Sequence, residues 1–190
     1  MKNLFKISAL VLAFGAITYG ASAQTTTTST SSANSGVRFS VGVDAGIPTG
    51  NLSNAYNWNI GGSAQVDIPL VSQLDLTVNA GYNSIQGKTV NGVSATNIQL
   101  LPVKAGLKFF PVNHFYVQGE AGAAFSLNKS DLGFTNSAAF IYAPQVGYQF
   151  PLGGSSVLDA GVRYEASTKF NSNVSNSTVN FFALRVAYGF

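Results

Sequence analysis

The sequence predicts an all-β fold: an eight-stranded antiparallel up-and-down β-barrel that crosses a membrane with its strands. Three observations carry that expectation. Eight stretches alternate apolar residues with small or polar ones, the period of two that a strand requires. Their connections alternate between short turns and long segments rich in Asn, Ser, Gly and Thr. Every charge inside a strand falls on the less apolar of its two faces.

Composition narrows the class first. Only 9% of the 190 residues are charged, and 20 are glycine. Average proteins carry about a quarter charged residues, so a soluble surface is hard to build from this chain. Mean hydropathy is only +0.20, and no later apolar run approaches the roughly 20 residues of a spanning helix. A spanning strand needs about 9 to 11 residues of alternating character, which hydropathy averages conceal.

At the N-terminus, Lys2 and Lys6 precede an apolar core from Ile7 to Tyr19, and Ala21-Ser22-Ala23 offers a small-x-small cleavage site. Residues 1–23 therefore read as a secretory signal peptide, cleaved before Gln24. The absence of cysteine excludes lipidation at a Cys, a disulfide framework and thiolate chemistry. Residues 24–36 form a Ser/Thr-rich tract without a large apolar side chain, read as a flexible periplasmic tail. Removing the two signal lysines lowers the formal charge from +3 to +1, which is no nucleic-acid signature.

From residue 37 to 190 the barrel follows. Its strands are expected at about 37–47, 59–68, 73–83, 96–109, 115–127, 138–150, 157–167 and 178–190. Ile68-Pro69-Leu70, Phe110-Pro111-Val112 and Phe150-Pro151-Leu152 repeat one design, in which proline is expected to end the strand and set a tight turn. The runs Lys104 to Phe109, Gln145 to Phe150 and Arg185 to Phe190 match one another, so the final strand belongs to the same series. Long loops are expected at 48–58, 84–95, 128–137 and 168–177, all on the side opposite the termini. Pro102 and Pro144 lie inside predicted strands and are expected to mark bulges or the upper limit of pairing.

Parity separates two faces. Arg38, Lys104, Lys108, Arg163 and Arg185 share the small or polar face with Asp44, Asp67, Asp75, Glu120, Asp159 and Glu165. A lipid-facing Arg or Lys near the midplane costs about 2 to 4 kcal/mol, so the charge-free face is assigned to lipid. The other face is the lumen, where eight strands leave room for side chains but little for a channel. Its five positive and six negative groups are expected to pair, with Gly46, Gly81, Gly106, Gly122, Gly147 and Gly161 making room for the long chains. Phe109, Phe115, Tyr148, Phe150, Tyr188 and Phe190 would form one aromatic girdle at the turn side. Tyr82, Phe125, Phe140, Tyr142 and Phe182 would form the other at the loop side.

Catalytic chemistry finds no footing in this pattern. The single histidine, His114, sits in a short turn, and the lumenal carboxylates share their face with cations. No metal-ligand cluster, phosphate loop or cofactor motif is present in the sequence, so no catalytic, cofactor-binding or metal residue is assigned. Two functions remain. One is envelope structure or surface interaction through the four loops, with Tyr56, Trp58, Lys88, Lys129, Phe134 and Lys169 as contact candidates; the lysines could meet lipopolysaccharide phosphates. The other is a narrow pore for small solutes. The surface ligand itself is not identified by the sequence.

With its signal peptide, eight alternating strands, Pro-bearing turns and terminal Val186-Ala187-Tyr188-Gly189-Phe190, the chain resembles the small outer-membrane β-barrels of the outer-membrane protein X and protein A transmembrane-domain type. Its Gly- and Asn-rich style resembles members from Bacteroidetes-like bacteria. The resemblance implies a monomer in the outer membrane of a Gram-negative cell, and because the sequence ends at Phe190 no separate peptidoglycan-binding domain is expected to follow the barrel. It also implies that Phe182, Leu184, Val186, Tyr188 and Phe190 form the signal read by the barrel-assembly machinery.

Overall fold

The computed structural model describes residues 36–90, 92–171 and 177–190. The expected signal peptide and nearly all of the expected tail lie outside the described residues. Ten strands and two single-turn helices follow in order: β1 (Arg38–Pro48), α1 (Leu52–Ala55), β2 (Tyr56–Val71), β3 (Leu74–Gly87), β4 (Thr89–Val90), β5 (Val93–Ser94), β6 (Ile98–Val112), β7 (Phe115–Ser126), α2 (Lys129–Leu132), β8 (Ala138–Gly153), β9 (Ser156–Ser167) and β10 (Asn180–Gly189). Eight of these strands close one antiparallel barrel in the order β1-β10-β9-β8-β7-β6-β3-β2, and β4 with β5 forms a small separate hairpin. The last strand pairs with both β9 and β1, as its place in the repeat series requires, through contacts such as Val186↔Ala160 and Val43↔Val186.

Register fixes the dimensions. Partners followed once round the ring run from Phe39 through Val66, Val78, Ala105, Ala121, Tyr142, Ala166 and Asn180. Asn180 then accepts a bond from the Thr49 N–H, so the path returns to β1 ten residues beyond Phe39. For eight strands this stagger corresponds to a tilt of roughly 40° and a backbone radius of about 8 Å. Each residue then advances about 2.4 Å along the barrel axis.

The turns differ from expectation in a consistent way. Each hairpin turns at two residues, Ser72-Gln73, Asn113-His114 or Gly154-Ser155, after the proline rather than at it. Register shifts fall between Pro69 and Val71, between Phe109 and Val112, and between Pro151 and Gly153. The residues skipped at these steps are Leu70, Phe110-Pro111 and Leu152; Pro111 lies within its skipped stretch, while Pro69 and Pro151 pair with Asp75 and Val157 at the last step before the shift. Positive φ occurs at His114 (φ 70°) in the second turn and at Gly153 and Gly154 (φ 103° and 60°) around the third, whereas neither Ser72 nor Gln73 in the first adopts it.

Pro102 and Pro144 are not bulges. The ladder between β3 and β6 is interrupted between Ala80↔Val103 and Asn83↔Leu100, and that between β8 and β9 between Tyr142↔Ala166 and Gln145↔Arg163. Both resume in the same register, so the missing N–H groups cost local bonds and leave parity intact. The second and third strands also outrun their expected limits. Tyr56 and Trp58 pair with Gly87 and Gln86, and Asn59 and Ile60 with Ile85 and Ser84, because a partner strand completes ladders that the polar composition of 84–87 did not suggest.

Candidate functional site

Alternation places the eight barrel strands' side chains either against the bilayer side or in the lumen. In β10 the pattern is complete: Leu184 is 62% exposed while the adjacent Arg185 is 1% exposed. Phe182, Val186, Tyr188 and Phe190 point outward with Leu184. The same outward face carries both sets of aromatics, and Phe115 and Phe125 stand ten residues apart on one strand. That separation is about 25 Å along the axis, the height of the apolar band of a membrane barrel.

Inside, ten of the eleven charged lumenal residues are buried, and Arg38 lies half-buried at the turn-side rim. The cations and acids interlock. Lys104 Nζ lies 2.5 Å from Glu165 Oε2 and 3.7 Å from Glu120 Oε2. Lys108 Nζ sits 2.6 Å from Asp67 Oδ2 and 3.6 Å from Asp159 Oδ2. Arg163 Nη1 faces Asp44 Oδ1 at 3.5 Å, and Arg185 Nη1 faces Asp159 Oδ1 at 3.9 Å. At the rim, Arg38 Nη1 donates to Gln149 Oε1 at 2.9 Å, and buried Asp75 stands beside Lys108 in the ladder.

Neutral groups complete this network, and the charge pattern alone did not reveal them. Tyr116, fully buried, donates its hydroxyl to Asp159 Oδ1 at 2.6 Å and accepts from Gln145 Nε2 at 2.5 Å, while Lys108 lies 4.7 Å from its ring centre. Gln149 donates to Asp159, Gln65 to Asp67, and Ser63 to Asp44. Arg163 Nε donates to Gln145 Oε1 at 2.9 Å. Each shares the parity of the charged residues, which was the available signal. The glycines play a different part from the one expected at two positions: a methyl group on Gly147 or Gly161 would collide with the Tyr116 hydroxyl, so the space there holds a phenol rather than a charged chain.

Toward the loops the lumen changes character. Ile85, Ile98, Leu100, Ile141, Val179 and Phe181 face inward and cluster with Leu52 from α1 and Phe170 from the last loop. Phe134 stacks on Phe170 with ring centres 4.9 Å apart, closing the mouth with side chains from three loops. An apolar cap thus covers the charged section of the lumen. Parity places the strand residues inside, but nothing local announces that loops fold over them.

The loop candidates are correspondingly redistributed. Tyr56 and Trp58 lie in β2 rather than in a loop; Tyr56 packs against the cap and donates to Thr96 O, whereas Trp58 faces outward at the loop-side rim. Lys88 is half-buried and donates to Ser53 O at 2.6 Å, tying the second loop to the first. Lys129 opens α2 and is half-buried; Lys169 is exposed.

Comparison with known proteins gives the fold its setting. No family model matches the sequence, and no curated protein matches it. Among solved structures, the Neisserial surface protein A superposes with a TM-score of 0.58 at 16% identity, covering 82% of this chain and 96% of that one. The outer membrane protein OprG of Pseudomonas aeruginosa gives 0.52 at 12% identity, covering 83% and 96%. Ail, the attachment invasion locus protein of Yersinia pestis, gives 0.51 at 17% identity, covering 81% and 97%. The chain shares with them the small eight-stranded barrel of outer-membrane proteins.

Proposed function

We propose that this protein is an integral outer-membrane barrel with a closed, charge-filled lumen, acting in envelope structure or surface interaction through its loop-side face. The observation that carries this reading is the double closure of the lumen. Interlocked charges fill its middle, and Leu52 and Phe170 cap its loop side. Within a backbone radius of about 8 Å such filling leaves no open bore, so the groups free to meet a partner lie outside. In the same reading, Lys169 and the Asn-, Ser- and Thr-rich loop tips face the exterior, and the alternating outward residues from Phe182 to Phe190 serve as the assembly signal. Attachment enters by name for one structural neighbour, Ail, and is consistent with a loop-based role here.

Replacing the four loops with short turns tests the proposal. Insertion should persist, while retention of expressing cells on protein- and glycan-coated wells should fall to that of cells lacking the protein. Retention unchanged by loop replacement refutes the loop model.

A narrow polar path is the second reading, and one observation favours it. Both side-chain polar atoms of Asn59, together with Nη2 of Arg163 and of Arg185, are buried without a protein hydrogen-bond partner, the kind of group that water satisfies. Planar-bilayer recordings separate the two: a silent membrane agrees with the closed barrel, and stepwise currents agree with the path.

A further inference from the structure

Below the turn-side girdle the barrel does not become polar. Leu70, Val71, Val112 and Leu152 are each more than half exposed at the tips of the three turns. The two-residue turns themselves are Ser72-Gln73, Asn113-His114 and Gly154-Ser155, and no Asp, Glu, Lys or Arg occurs in residues 68–74, 109–115 or 150–157. The loop side differs, since it carries Lys88, Lys129, Asp131 and Lys169. A turn projecting into water has no use for four exposed aliphatic side chains and gains from charge.

Geometry says where these tips end. Val112 pairs with the girdle residue Phe115, two residues of the partner strand beyond the Phe109↔Val117 pair, so it descends about 5 Å past Phe109 at about 2.4 Å per residue. Each headgroup layer of a bilayer is about 5–7 Å thick. With the girdle at the edge of the hydrocarbon, the tips therefore stop within the headgroup layer. The outward apolar belt continues into them without interruption: Leu107, Phe109 and Val112 are all exposed along one strand.

Resting on the membrane reading above, we infer that the three turns are seated in the headgroup layer of the inner, phospholipid leaflet. Their aliphatic tips fix the depth of the barrel, and none of the three turns projects into the periplasm. The occupant of the apolar tips is the lipid already surrounding the belt, because the two surfaces are continuous and uncharged.

The chain has no cysteine, so single variants Leu70→Cys, Val112→Cys and Leu152→Cys each accept one spin label. The controls are Val186→Cys in the belt and Lys169→Cys in the loops. Power saturation in phospholipid nanodiscs compares oxygen with a water-soluble nickel chelate. The expected result is a severalfold lower chelate accessibility at the three tips than at Lys169→Cys, with oxygen accessibility approaching that of Val186→Cys. Tips as chelate-accessible as Lys169→Cys, with Val186→Cys still oxygen-favoured, overturn the inference and leave the membrane reading standing. Chelate accessibility at Val186→Cys as well overturns both. All these sites are exposed, and a heat-dependent gel shift verifies that each labelled variant is folded.

Discussion

Lys104→Met is the substitution that interrogates the interior most sharply. Lys104 is 2% exposed and serves two acids, Glu165 at 2.5 Å and Glu120 at 3.7 Å. Methionine preserves length and volume but removes the charge, leaving two buried carboxylates short of their cation. Breaking a buried pair from one side costs about 3–5 kcal/mol, far more than an exposed pair's ~1 kcal/mol or less. With a urea dependence of about 1–3 kcal/mol per molar, that loss moves the unfolding midpoint down by roughly 1–5 M. Adding Glu165→Gln should recover part of it, because the partner's charge is gone too; a coupling of about 1–3 kcal/mol is expected from the double-mutant cycle. The assay is urea unfolding in phospholipid vesicles, read by the heat-dependent gel shift. A single variant within about 1 kcal/mol of the parent would refute the reasoning, since only water around Lys104 could make its removal so mild.

Three further outcomes follow from the same geometry. Tyr116→Phe strips a partner from both Asp159 and Gln145 and should lower stability by about 1–3 kcal/mol in the same unfolding assay. Leu184→Arg puts a cation in mid-belt beside the lumenal Arg185; folding into vesicles should weaken by about 2–4 kcal/mol, while Lys169→Met in a loop should change it by less than about 0.5 kcal/mol. Deleting Phe190 should reduce the amount of assembled barrel in cells more than deleting any single loop does, measured by the gel-shifted fraction; equal assembly would count against its role in recognition.

Much of this was legible because two constraints coincide in every strand. A period of two and a lipid face intolerant of charge both act on the same residues, so Leu184 and Arg185 declare their sides from sequence alone. The identity of the eleven lumenal charges follows from that, but their partners do not: Asp159 meets Lys108, Arg185, Tyr116 and Gln149 from four different strands, a convergence set by register. Register also moved the prolines from turns to irregular ladder steps and kept Pro102 and Pro144 within regular strands. The cap was the least legible part. Leu52 and Phe170 sit in polar loop sequences, and only the closure of the barrel brings them over the inward residues of other strands.

The central claim, that this chain's apolar face meets lipid and its charged face is enclosed, is tested most directly by fractionating cells that express it. Outer membranes are purified, and the protein is run on a gel before and after boiling. The account predicts that the protein remains with the outer membrane and migrates anomalously as a compact species until boiled. Recovery in the soluble periplasmic fraction, with one mobility regardless of heating, would contradict it.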